Sequence, residues 1–167
     1  MAYRDIQDKI IEKMATVKVD DISIGQVRAY YQRAITPEEF ADLFQVTLDA
    51  TGQKPIRAWT VSWESATTRH SGSPFQTYFL EHTFVIIGWV SWNASSEELI
   101  RRSAEAILEA FAPIRTLGLN VPTETTIVED SLMSISNFRR GQLGPVMVSM
   151  AEISLTATER RQVNEFT

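Results

Sequence analysis

The chain contains no cysteine, which removes disulfides, thiolate nucleophiles and cysteine-based metal sites together and fits folding in a reducing cytoplasm. Histidine is scarce, at two residues, so a metal centre would have to collect carboxylates from distant parts of the chain. No stretch approaches the roughly 18 to 20 uncharged apolar residues of a membrane helix. The amino terminus runs straight into Arg4, Asp5, Asp8 and Lys9 instead of an apolar signal core, so neither a leader nor a membrane partner is expected. Positive charge is short as well: 16 Lys and Arg stand against 21 Asp and Glu, a formal charge of -5. That balance argues against tight nucleic-acid binding, which requires clustered basic side chains to neutralise phosphates. Internal repeats, low-complexity tracts and composition breaks are also lacking.

What remains is an ordinary globular composition, 44% hydrophobic and 22% charged over 167 residues, enough for one domain spanning residues 1–167 to bury a core. Tyr3, Ile6, Ile10, Met14 and Val17 recur at three- and four-residue steps, the stripe of an amphipathic helix with Asp5 and Lys9 paired on its outer side. Gln26 to Gln32 reads as a short strand. Thr36-Pro37-Glu38-Glu39 carries a capping-box start for a second helix ending before Thr51-Gly52. From Pro55 to Glu64 the pattern alternates, Arg57, Trp59, Val61 and Trp63 against Ile56, Ala58, Thr60 and Ser62, which predicts a strand. Ser65 to Pro74 is small and polar and reads as a mobile surface loop. Phe75 to Trp92 is a long apolar strand, and the two strands make a hairpin longer than one sheet layer requires.

Ser95 and Glu98 suggest another capping box, and Leu99, Ile100, Ala104, Ile107, Leu108 and Phe111 form a helical stripe up to Pro113. A strand follows from Glu124 to Asn137, then a basic turn, Phe138-Arg139-Arg140-Gly141-Gln142, and a final strand. That strand changes parity between Val146, Val148 and Met150 and Ala151, Ile153, Leu155 and Ala157, which implies either a bulge or a change of neighbouring strand. Residues 158–167 read as a frayed polar tail. The fold class expected is α+β, a largely antiparallel β-sheet of long hairpins packed against amphipathic helices.

Catalytic motifs do not emerge. Gly141-Gln142-Leu143-Gly144 is neither a P-loop nor a dinucleotide fingerprint, and no Gly-x-Ser-x-Gly elbow occurs. Glu129 and Asp130 are adjacent on a strand and point to opposite faces, so they read as solvated charge. His82, between Glu81 and Thr83, reads as a core or interface histidine rather than a metal ligand. No catalytic, cofactor or metal residues are assigned, and an enzyme is not expected. Interaction residues are better supported. Arg69, His70 and Phe75 lie at the expected loop, and Arg139 and Arg140 at the expected turn, where they could hold phosphate or carboxylate groups or merely solubilise a hairpin tip. Of the four tryptophans, Trp63 and Trp92 lie nearest strand ends and are placed at a subunit boundary before Trp59 and Trp89.

The order of these elements resembles the tail terminator proteins of long-tailed bacteriophages (siphophages). The matching features are the opening helix from Tyr3 to Val17, Arg57-Ala58-Trp59-Thr60-Val61, His82-Thr83-Phe84-Val85-Ile86-Ile87-Gly88, the helix from Ser95 to Phe111, and the closing Ala151-Glu152-Ile153-Ser154-Leu155. The resemblance implies a virion protein of the tail and neck, assembled in the host cytoplasm. It would form a homo-hexameric ring on the tail tube protein, end tail polymerisation and present a surface to a head-neck connector protein, with DNA passing through its lumen without specific binding. Another neck or head-completion connector ring would share these features, and an α+β small-molecule-binding protein would predict a pocket near His82.

Overall fold

A computed structural model of the chain describes residues 2–29, 56–70, 77–113, 116–121, 124–127, 133–143 and 146–162. The first apolar stripe forms α1 (Ala2–Ala15), and Ile6, Ile10, Met14 and, just beyond it, Val17 are buried. On its outer side Lys9 pairs with Glu12 at 2.6 Å and not with Asp5, since residues three and four apart compete for the same ammonium. β1 (Lys18–Val19) and β2 (Ile22–Ser23) then form a hairpin. Its turn residues Asp20 and Asp21 have φ of 51° and 63°, a primed turn that aspartate tolerates because its short side chain bonds locally. Arg102 donates to Asp20 Oδ1 at 2.6 Å, which holds that carboxyl below its ordinary range and ties the turn to the next helix. β3 (Gln26–Ala29) follows. The helix expected from Thr36 to Thr51 lies outside the described residues.

β4 (Arg57–His70) and β5 (Thr77–Ser91) form the long hairpin. Their ladder runs from Arg57↔Val90 to His70↔Tyr78 with one irregularity, between Trp63 and Ser65. Ser65 to His70 is therefore regular strand and not the first half of a mobile loop; residues 71–74 lie outside the described set. The correction has a simple cause: Thr67 and Thr68 are β-branched, and an equally long partner offers every backbone group on one edge a bond.

α2 (Ser96–Phe111) buries Ile100, Ala104, Ile107 and Phe111. The expected capping box does not form, because Ser95 makes no side-chain cap bond. Asn93 Oδ1 instead accepts from the Ser95 backbone N–H at 2.9 Å, an Asx turn that leads into the helix.

The remainder is β6 (Thr116–Val121), β7 (Glu124–Ile127), β8 (Ser134–Leu143) and β9 (Val146–Gln162). The single strand expected from Glu124 to Asn137 is thus two strands, with residues 128–132, including Glu129 and Asp130, outside the described set. The main sheet has the order β3-β4-β5-β9-β7-β6, and β8 also pairs with β9. Among the described ladders β3–β4 is parallel and the others are antiparallel. The protein is α+β, with α1 and α2 packed on the sheet.

β9 resolves the parity change. Its ladder with β5 is unbroken from Ser91↔Val148 to Thr77↔Gln162, so β9 has no bulge. Along its other edge it changes neighbours, from β8 over Val146–Ser154 to β7 at Thr158–Glu159. The two parities are two faces. Ala151, Ile153, Leu155 and Ala157 join Trp59, Val61, Phe84 and Ile86 beneath the helices; Val148 joins Ile56, Ala58 and Trp89 on the opposite face. The tail expected to fray from residue 158 remains in β9 as far as Gln162, and Thr158 and Glu159 are buried.

Candidate functional site

β4 changes character at Trp63. Arg57 to Val61 are buried, and every residue from Trp63 to Arg69 is exposed. The boundary is a polar chain crossing three strands. Trp63 Nε1 donates to His82 Nδ1 at 3.3 Å, so the imidazole hydrogen sits on Nε2, 3.1 Å from Glu159 Oε2, to which it donates. His82 and Glu159 are both buried. The Trp63 ring lies 5.0 Å from that of Tyr3 on α1, so the chain is anchored to the helical layer too. His82 is therefore a satisfied histidine spent on holding strands together. Among the described residues no group of three or more His, Asp or Glu side chains is placed to hold a metal.

Beyond this boundary β4 presents Glu64, Ser65, Ala66, Thr67, Thr68 and Arg69. Arg69 meets Glu81 at 3.4 Å, a weak exposed pair that adds little to stability. His70 closes the ladder opposite Tyr78, and Phe75 lies outside the described residues. β3 pairs with β4 only over Ala58–Val61, so among the described residues the outer edge of the exposed half of β4 has no neighbouring strand.

The other end of the sheet carries the remaining candidates. Trp92 follows β5, is 53% exposed, and donates its backbone N–H to Met147 O at 2.8 Å; Met147 is 50% exposed. Arg139 and Arg140 do not sit on a turn. They lie within β8, opposite Met150 and Ser149. Gly141 marks no turn either: a Cβ there would come within 2.5 Å of Met150 Sδ, so the glycine admits a packed methionine. Alternation sends the two arginines to opposite faces. Arg140 meets Glu97 on α2 at 2.6 Å, beside Phe138, whose ring lies 5.1 Å from the Arg101 guanidinium carbon. These side chains line a shallow groove of about 130 Å³ between α2 and β8. Arg139 shares the other face with Met150 and makes no hydrogen bond or ion pair among the described residues.

The candidates therefore fall into two groups. Trp63, Arg69 and His70 share β4; Trp92, Arg139 and Arg140 gather near the start of β9. On β5 Trp63 faces Phe84 and His70 faces Tyr78, whereas Arg139 lies level with Trp89, so the groups are offset by about 5 to 11 residues, roughly 16 to 36 Å. Glu159 was hidden from sequence reading inside the expected tail. The signal that finds it is parity, since it continues the series 151, 153, 155, 157 by one step. Arg57 is a further buried group, with Nε and Nη2 lacking a hydrogen-bond partner among the described residues, and burial lowers its pKa. No helix among the described residues is long and apolar enough to cross a membrane. No protein-family model matches the chain, and no curated protein matches it in sequence.

Proposed function

We propose that the chain is a structural subunit of a phage tail, forming a ring that caps the tail tube, ends its polymerisation and offers a surface for head attachment. The observation that carries this reading is the exposed half of β4. A strand that keeps a full ladder through His70 while every side chain from Trp63 to Arg69 is exposed serves a surface outside its own core. Two further features support it. The interaction candidates fall into two groups, one on β4 and one near the start of β9, as a subunit with more than one contact surface requires. Trp63, Trp92 and Met147 are large apolar groups left exposed, a composition favoured where subunits meet. The net charge of -5 would let DNA pass a lumen without being retained.

In this reading the partners are further copies of the chain, the tail tube protein and a head-neck connector, and the place of action is the virion. The test is the light-scattering mass of the full chain, alone and mixed with tail tube protein of the same phage. A closed ring, or a complex that halts tube growth, is expected. A chain that ignores the tube but binds a portal-side adaptor would transfer the reading to another neck ring, and one that binds neither would end it.

A further inference from the structure

Resting on the ring reading, we propose that neighbouring copies join through their main sheets, the free outer edge of β4 (residues 63–70) in one copy pairing with the free outer edge of β8 (Ser134–Leu143) in the next. Among the described residues β8 has one neighbour, β9, and the exposed half of β4 has one, β5. Among the described residues each edge leaves a row of backbone N–H and C=O groups without a strand partner. Of the devices that block such edges, proline and lysine are absent from residues 63–70 and 134–143, and each edge carries a single irregularity.

Strand direction selects the partner. β4, β5, β9 and β8 alternate up, down, up and down, because every ladder between them is antiparallel. Adding β4 of a second copy outside β8 continues the alternation, and the helices of both copies then lie on one face of a shared sheet. The contact joins two different surfaces, so it is heterologous, the kind that propagates around a ring.

Charge supports the same match. Glu64 on one edge and Arg139 on the other are exposed, opposite in sign, and without a hydrogen bond or ion pair among the described residues. They also share a face. Arg139 stands opposite Met150, on the side away from the helices, and Glu64 occupies the irregularity next to Ser65, whose partner Thr83 lies on that side too. β8 has an irregularity of its own between Ile135 and Asn137, so an antiparallel register setting Glu64 against Arg139 brings it beside that of β4 and places Thr67 against Ser136 and Arg69 against Ser134, with no like charges opposed.

The stagger is a geometric consequence. Through the ladders, Arg139 lies level with Met150, Trp89 and Ala58, whereas the register sets it against Glu64 of the next copy. Each copy is thus displaced from the last by about six residues along the strands, roughly 20 Å. A closed ring absorbs such a shear by tilting its strands against the ring axis, as a barrel does.

The test uses the absence of native cysteine. T67C/S136C, oxidised in the full chain with tail tube protein present, is expected to give a ladder of covalent multimers ending at the ring size, and T67C alone to give nothing beyond dimers. E64R and R139E are each expected to lose the ring while keeping the wild-type circular dichroism and melting temperature, and E64R/R139E to regain it. Rings that form without the T67C/S136C ladder, or that survive both single charge reversals, overturn this pairing and leave the ring reading intact. A wild-type chain that stays monomeric with tube protein removes both.

Discussion

The two halves of β4 share one backbone and one partner strand, yet they differ in nearly everything else. The first half, Arg57 to Val61, has neighbours on both edges and cover on both faces: Trp59 and Val61 lie beneath the helices, Ile56 and Ala58 in the opposite cluster. The second half, from Trp63 on, has one neighbour among the described residues and exposed side chains. Ladder bonds alone thus suffice to continue a strand, provided its partner is itself anchored, and here β5 is held by β9 along its whole length. What the second half lacks is burial, and burial is what fixes the effect of substitution.

The largest expected contrast comes from Trp59. Its ring is fully buried, its Nε1 donates to Ile24 O at 3.2 Å, and it lies so close over Gly88 that a Cβ there would come within 2.6 Å of ring carbons. Trp59→Ala should cost about 3–5 kcal/mol through the cavity it leaves. Gly88→Ala should cost about 1–3 kcal/mol from the opposite direction, by overpacking the same ring. Urea unfolding of both variants checks the pair; a loss below 1 kcal/mol for Trp59→Ala would mean that the first half is not the anchor.

The boundary between the halves should give an intermediate effect. His82→Ala removes one hydrogen bond from the buried Glu159 carboxylate and leaves Trp63 Nε1 without its acceptor, an expected cost of about 1–3 kcal/mol. Trp63 should also report the change directly, through a shifted fluorescence maximum and faster indole N–H exchange. If stability falls while the Trp63 signals stay at wild-type values, His82 acts by filling space and does not join the halves.

This contrast was partly legible in the sequence. The alternation of Arg57, Trp59, Val61 and Trp63 against Ile56, Ala58, Thr60 and Ser62 gave the correct faces, because burial writes a period of two into a strand. Past Trp63 no such period exists, since neither face is covered, and Ser65 to His70 therefore looked like loop. Arg139, Arg140 and Gly141 misled in the same way: exposed charge beside glycine resembles a turn whenever the pairing strand is invisible. Trp63 and Trp92 are the exposed pair, with Trp59 and Trp89 buried, but the expected reason holds for Trp92 alone, since β4 continues past Trp63 to His70. Glu159 was missed because a buried carboxylate is readable only with its partner, and His82 lies 77 residues earlier.

The smallest expected effect sharpens the comparison most. Thr68 lies on β4 as Trp59 does, opposite Leu80, but it is exposed. Thr68→Lys removes a β-branched side chain from a strand and adds a charge to open solvent, changes that together are expected to stay within about 0.5 kcal/mol. Unfolding should be followed at the lowest protein concentration that gives a signal, where assembly contributes little to apparent stability. At higher concentration the same lysine is expected to act differently, because a lysine on a sheet edge opposes the addition of another strand. Unchanged stability with weakened self-association would separate the two halves by role, the first for folding and the second for contact. A stability loss above 1 kcal/mol at low concentration would show that the second half is covered within its own subunit, and the contrast drawn along β4 would fail.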